Sequence, residues 1–294
     1  MISRTEPLSG MSPPPLPADW MIVFYLGVTG LLIAIFHKNL PRWYFHLVAR
    51  AACIGGILWL SFSSNSFSWP PLFQVLRDWY PIVTILIFYR ELTFLTQLIF
   101  QEYLDDKVLQ WEGRLFRGQP SIYLSNSFPY PALSEFLHFC YVSYYGIVVF
   151  LVAVLYLQGR REAFQEVVFV EVFTSNLCFL WHLFMPVTGP RYQFEKIKGP
   201  LARGFFYKLT HLVLSRGSSK GTAFPSSHVA VTLVILLSAP YYDLISFILL
   251  GPIGVGLIFG TVYGRFHYAV DALAGAALAC IIFLIAPTVY RWLL

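Results

Sequence analysis

The sequence predicts an all-α, polytopic transmembrane helical bundle of about eight spans. Three observations predict it. The chain is 57% hydrophobic and only 12% charged, whereas a soluble domain carries roughly 25% charged residues. Its charges leave several runs of about 17–25 residues nearly free of Asp, Glu, Lys and Arg, enough helix to cross ~30 Å of hydrocarbon. Those runs are continuous rather than alternating, which favours helices over the strands of a closed barrel.

Residues 1–19 are Pro- and Ser-rich, end in PPPLPAD and read as a flexible tail. No cleavable signal segment is expected, because the first apolar run follows that tail. Spans are expected at about 20–36, 46–63 and 79–100, with the turn residues SSNSFSWPP between the second and third. Residues 103–118 are amphipathic and charged and are expected at the membrane interface. Five further spans are expected at about 133–157, 165–186, 226–239, 243–262 and 268–290, with a short turn at Pro240. Between the fifth and sixth lies a long polar connection, 187–225, without expected regular structure. There is no internal repeat.

The net charge is +5, and much of it sits in that connection, where Arg191, Lys196, Lys198, Arg203, Lys208, Arg216 and Lys220 face a single acid, Glu195. Such local concentration fits an anionic ligand better than nucleic acid. Cys53, Cys140, Cys178 and Cys280 fall in apolar runs without CxxC spacing and read as packing residues. Arg90 and Glu91 lie inside the third span. Adjacent helical residues do not face each other, so each needs its own structural partner. Glu135, Glu166 and Glu171 read as interface or bundle residues. His138 and His182 read as packing histidines, His182 being also a minor site candidate.

Three polar islands interrupt the second half: GPRY (Gly189 to Tyr192), FPSSH (Phe224 to His228) and YGRFHYAVD (Tyr263 to Asp271). Counting alternate sides of the membrane puts all three on one face. His267 and Asp271 are four apart at a helix start and so share a helix face. A carboxylate on one ring nitrogen fixes the tautomer and leaves the other nitrogen a better base or nucleophile. His228 follows Ser226 and Ser227 at another helix start, where backbone N–H groups cradle anions. Arg191 and Arg265 supply planar forks suited to phosphate oxygens. Phosphoryl transfer needs positioning, charge neutralisation and a proton for the leaving oxygen, and the islands offer all three.

FPSSHVA followed by YGRFHYAVDALAG resembles the second and third signature motifs of the type 2 phosphatidic acid phosphatase (PAP2) superfamily, over roughly residues 130–290. That superfamily includes lipid phosphatases, vanadium haloperoxidases and inositol phosphorylceramide synthases. Pro225, Ser226, Ser227 and His228 match the family's PSGH except for one Ser in place of Gly. His267 and Asp271 match its third motif, while Gly260 and Thr261 stand where that motif has Ser-Arg. Arg265 stands close enough to substitute, as in the phosphoinositol-transferase-like branch. The first motif survives as Arg191, with Phe184 at the Lys position and Tyr192 at the Pro position.

The resemblance implies a PAP2/haloperoxidase-like core, with residues 119–294 as the catalytic membrane domain and residues 20–118 as accessory transmembrane helices and an interfacial helix. It implies His267 as nucleophile, Asp271 as the residue orienting it, and His228 as general acid to the leaving lipid alkoxide. Arg191, Ser226, Ser227 and Arg265 would bind phosphate, with Tyr192, Lys220 and Tyr263 as possible additions. No cofactor or metal is expected. His228, His267 and Asp271 lack a fourth ligand and zinc-type spacing.

The expected partners are a lipid phosphate and membrane lipids, with no nucleic acid, and the expected location is the bacterial cytoplasmic membrane. The Lys/Arg balance does not assign the side of the site, because the excess disappears once the loop cations and Arg265 are counted as ligand-binding. Hydrolysis of a lipid mono- or diphosphate is the leading reading. Transfer of a phospho-alcohol headgroup between lipids is the near rival, with a transporter or lipid-binding protein carrying a vestigial site behind it. A haloperoxidase is the weakest option.

Overall fold

The computed structural model describes residues 15–63 and 70–294. Among them the chain is helical, with only an isolated parallel bridge between Val187 and Thr222. The helices are α1 (Pro17–Ile35), α2 (Trp43–Ser63), α3 (Pro71–Leu95), α4 (Asp105–Phe116), α5 (Pro120–Ser127), α6 (Pro131–Val142) and α7 (Tyr144–Leu157). They continue with α8 (Arg161–Phe184), α9 (Pro190–Gln193), α10 (Phe205–Gly217), α11 (Ser227–Tyr242), α12 (Leu244–Tyr263) and α13 (Ala269–Leu293).

By length and composition α1, α2, α3, α8, α12 and α13 can each cross a membrane, and the pair α6–α7, bent by 52°, passes the same test only when its two helices are taken together. The eighth expected run is α11, which at 16 residues is shorter but sits largely buried against α8, α12 and α13. One hydrophobic core extends from Ala18 to Tyr290 and includes residues of α1, α3, α7, α8, α11 and α13. Helix α8 is its centre and packs against α1, α3, α7, α11 and α13.

Several boundaries differ from expectation for identifiable reasons. The tail ends early, because Pro17 opens α1 and the Asp19 carboxylate accepts the Leu16 N–H at 2.9 Å. Residues 1–14 of that tail, and most of SSNSFSWPP, lie outside the described residues. The third span starts about two turns earlier, at Pro71, because its charges are neutralised inside the bundle. Arg77 pairs with buried Asp19, which also accepts from Tyr80 and Ser61, and Arg161 donates to Asp78 at 2.5 Å. The fourth span breaks at Ser143, whose hydroxyl donates to the Phe139 carbonyl at 2.8 Å, a bond that bends helices.

The connection 187–225 is not structureless. It holds α9, a 3-10 turn at Gly199–Ala202, and α10. Helix α10 packs on α6, and the Glu135 carboxylate caps it, accepting the N–H groups of Phe206 and Tyr207 at 3.0 Å each. Helix α5 had no clear sequence signal. Arg90 and Glu91 do find separate partners. Glu91 accepts two bonds from Arg50, at 2.8 and 3.0 Å, and one from His46 at 2.9 Å, while Arg90 donates to the Arg216 carbonyl at 3.2 Å. All four cysteines are free.

Candidate active site

The starts of α11 and α13 meet, and that junction carries the two histidines. The Ser226 N–H donates to the Asp271 backbone carbonyl at 3.0 Å. Gly275, one turn beyond Asp271 in α13, permits the approach: a Cβ there would stand 2.4 Å from the Ser226 carbonyl oxygen. The Ser226 hydroxyl caps α11 by accepting from Val229 N–H at 3.3 Å. His228 follows in the first turn of α11, and His267 sits in the turn between α12 and α13. Their ring centroids are 5.6 Å apart. Tyr141 stacks on His228 at 5.1 Å, and the Tyr144 ring lies 4.4 Å from it.

The hydrogen bonding of His267 determines its tautomer. Nδ1 lies 3.0 Å from the Ala223 carbonyl oxygen, which can only accept, so Nδ1 carries the proton and Nε2 keeps its lone pair. Burial holds the His267 pKa down at about 4; the Ala223 bond opposes this and the Arg191 charge adds to it. The imidazole is therefore neutral at pH 7. Asp271 Oδ2 is 3.5 Å from Nδ1 but accepts the Tyr268 N–H at 2.8 Å. The closest bond to the ring is thus a main-chain carbonyl, with the Asp271 carboxylate behind it. His228 Nδ1 is buried and unpartnered among the described residues.

Both rings line one pocket together with Arg191, Tyr192, Thr188, Ser218, Ser219, Thr222, Tyr89 and Tyr141. The Arg191 guanidinium donates to Ser218 Oγ at 2.8 Å and to the Tyr192 hydroxyl at 2.7 Å. Two imidazoles, one with a bare nitrogen, thus face a guanidinium and hydroxyls at one end of a membrane bundle. The PAP2 superfamily model matches residues 107–285, more than half of the chain. The chain belongs to the PAP2 superfamily. No curated protein and no solved structure matches it. PAP2 proteins share an all-helical membrane fold and are usually phosphatases or phosphotransferases. The chain is accordingly an integral membrane protein with a phosphatase-like function on lipid phosphate.

The pocket does not gather every residue singled out from the sequence. Arg265, at φ +60°, turns away and bonds Ser125 at 2.8 and 3.1 Å, Asn126 at 3.2 Å and the Glu195 carbonyl at 2.7 Å. It staples α5 and the 187–225 segment and is not part of the pocket lining. The Tyr263 hydroxyl donates to the Phe128 carbonyl at 2.9 Å, also outside the pocket. Ser226 and Ser227 are buried behind His228. Lys220 lies at the rim, with its ammonium 4.7 Å from the Tyr103 ring and 5.5 Å from Tyr192. Phe184, at the family's Lys position, is half exposed and brings no cation.

Sequence reasoning missed the hydroxyl wall of Ser218, Ser219 and Thr222, whose residue types carry no motif signal. It also missed the inward face of α4. Asp105, Val108 and Glu112 share that face and are buried. Glu112 accepts the Ala269 and Val270 N–H groups at 3.3 Å each, at the start of α13. Burial pushes its carboxyl up to about 7, against the pull of those two donors. Asp105, Val108 and Glu112 stand at i, i+3 and i+7, but with Val108 the one apolar residue among them the spacing gave no signal of a buried face.

His182, the minor candidate, places its Nε2 3.1 Å from the Pro225 carbonyl oxygen and supports the turn before Ser226.

Proposed function

We propose that this protein hydrolyses a lipid mono- or diphosphate through a phosphohistidine on His267. The observation that carries the reading is the bare Nε2 of a neutral His267 beside His228 and Arg191 in one pocket. In the first half-reaction the Nε2 lone pair attacks the terminal phosphorus and its bond to the leaving oxygen breaks, that oxygen belonging to the lipid alcohol of a monophosphate or to the lipid monophosphate of a diphosphate. The phosphate anion in the pocket favours a protonated His228, which gives its proton to the leaving oxygen. Arg191 neutralises charge on the non-bridging oxygens. In the second half-reaction His228 removes a proton from water, the hydroxide attacks the phosphohistidine, and orthophosphate leaves. His267 then regains its lone pair and His228 its proton. Asp271 supports the turn that holds His267.

A second reading is transfer of a phospho-alcohol headgroup between lipids, as in the inositol phosphorylceramide synthase-like branch. One observation favours it. Arg191 is the single Lys or Arg in the pocket lining among the described residues. A phosphodiester donor carries one negative charge and needs less neutralisation than a dianionic monoester. The two readings share the covalent intermediate and differ in the acceptor.

The test is turnover of labelled lipid phosphate in detergent with and without an added lipid or polyol alcohol. Release of orthophosphate without an acceptor supports hydrolysis, and turnover only with an acceptor supports transfer. Full activity in both His267→Ala and His228→Ala sinks both readings.

A further inference from the structure

Asp105 lies outside the segment that matches the family model and outside all three signature motifs. It is 3% exposed, yet its carboxylate accepts four hydrogen bonds. Oδ2 accepts the Thr188 N–H at 2.9 Å. Oδ1 accepts the Thr188 hydroxyl and the Gly189 N–H at 3.0 Å each, and the Tyr268 hydroxyl at 3.1 Å. Thr188 and Gly189 lead directly into Arg191, and Tyr268 follows His267. One carboxylate therefore joins the segment carrying the pocket's guanidinium to the turn carrying its imidazole.

From this geometry we infer that Asp105 is a positioning residue for phosphoryl transfer, holding Arg191 and His267 in register across the pocket. The inference rests on reading that pocket as a phosphoryl site.

The chemistry of the acceptor supports the assignment. The Thr188 and Gly189 N–H groups can only donate and sit on different oxygens, so both oxygens of this position must accept. Either orientation of an amide in its place would set its NH2 against one of those two N–H groups. Gly189 shows how little slack the clamp has. It sits at φ +90°, and a Cβ there would stand 2.9 Å from the Phe266 carbonyl oxygen. The backbones of the GPRY segment and the His267 turn thus touch at Gly189 and are fastened together by Asp105 one residue away. A loosened clamp lets both segments drift, and catalytic geometry degrades steeply with displacements of about 1 Å.

The test uses the full chain in detergent, with orthovanadate as a phosphate-shaped probe and amide hydrogen exchange as a readout independent of activity. Asp105→Asn is expected to speed exchange in 187–193 and 265–269 while leaving the cores of α8 and α11 unchanged. It is expected to weaken vanadate binding about tenfold or more, the scale of lost charge-assisted bonds. In a double-mutant cycle with Arg191→Ala the two losses should be clearly non-additive, because Asp105 acts through Arg191. Tyr268→Phe removes one donor without altering the carboxylate, and should produce a smaller change of the same kind if Asp105→Asn fails to fold. Unchanged exchange in both loops overturns the clamp, and additive losses overturn its action through Arg191. A wild-type protein that binds no vanadate refutes the phosphoryl reading of the pocket, and the exchange result then still decides the clamp.

Discussion

The two arginines drawn from the motifs part company in the structure. Arg191 faces the histidines, while Arg265 spends its guanidinium on Ser125, Asn126 and the Glu195 carbonyl. Arg191→Lys keeps the charge but loses the planar fork. It should lower kcat/KM by about 10–100-fold, roughly 1.4–2.7 kcal/mol in transition-state free energy. Arg265→Lys should instead lower the melting temperature and leave orthophosphate inhibition within about threefold of wild type. Equal loss of orthophosphate affinity in both variants would contradict this division. The histidines were legible at this scale because helix starts follow from local sequence. The roles of individual bonds were not. Spacing alone paired Asp271 with the His267 ring, but the nearest acceptor to Nδ1 is the Ala223 carbonyl, 44 residues away in sequence.

Among the elements, α4 shows how a short amphipathic helix contributes beyond the membrane surface. Its Glu112 carboxyl is pushed up to about 7 by burial. A raised carboxyl pKa means that the folded chain holds a proton the unfolded chain has already released. Stability from this group is therefore lost as pH rises from about 4.5 through about 7. His267, whose pKa is lowered to about 4, acts in the opposite direction between about 4 and 6.5. Comparison with Glu112→Gln isolates the first effect. The melting temperature of wild type relative to the variant should fall from pH 5 to pH 8, and a constant difference would refute it. Helix α10 depends similarly on Glu135. Removing that cap with Glu135→Ala should cost about 1–2 kcal/mol in chemical denaturation.

Element positions were largely readable, because apolar length is set by the membrane. Boundaries were less so wherever a charge was neutralised by a distant partner. Arg77 and Asp78 look like the end of an apolar run in sequence, but Asp19 and Arg161 admit them into α3. Helix α10 was hidden for a related reason. Its cations made the whole 187–225 segment read as solvated, while its buried side, including Tyr207 and Thr210, packs on α6.

For the molecule as a whole, the bundle was legible from composition, and the meeting of the site segments was legible from counting crossings. The polar bracing between helices was not. Arg50, 4% exposed, donates to Thr29 at 3.0 Å and forks onto Glu91 across α1, α2 and α3. Glu91→Gln leaves that guanidinium without its counter-charge and should cost about 3–5 kcal/mol. The double replacement Arg50→Met with Glu91→Leu should cost much less. Equal melting-temperature losses in the single and double variants would show that the ion pair itself, rather than its completion, stabilises the bundle.

The most direct measurement is acid-quench trapping with a lipid phosphate labelled at phosphorus, followed by mapping of the adduct. An acid-labile, alkali-stable label on the peptide containing His267, absent in His267→Ala, is the expected result. Turnover by wild type with no labelled peptide under conditions that slow the second half-reaction, or a label elsewhere that persists in His267→Ala, would contradict the covalent role of that imidazole.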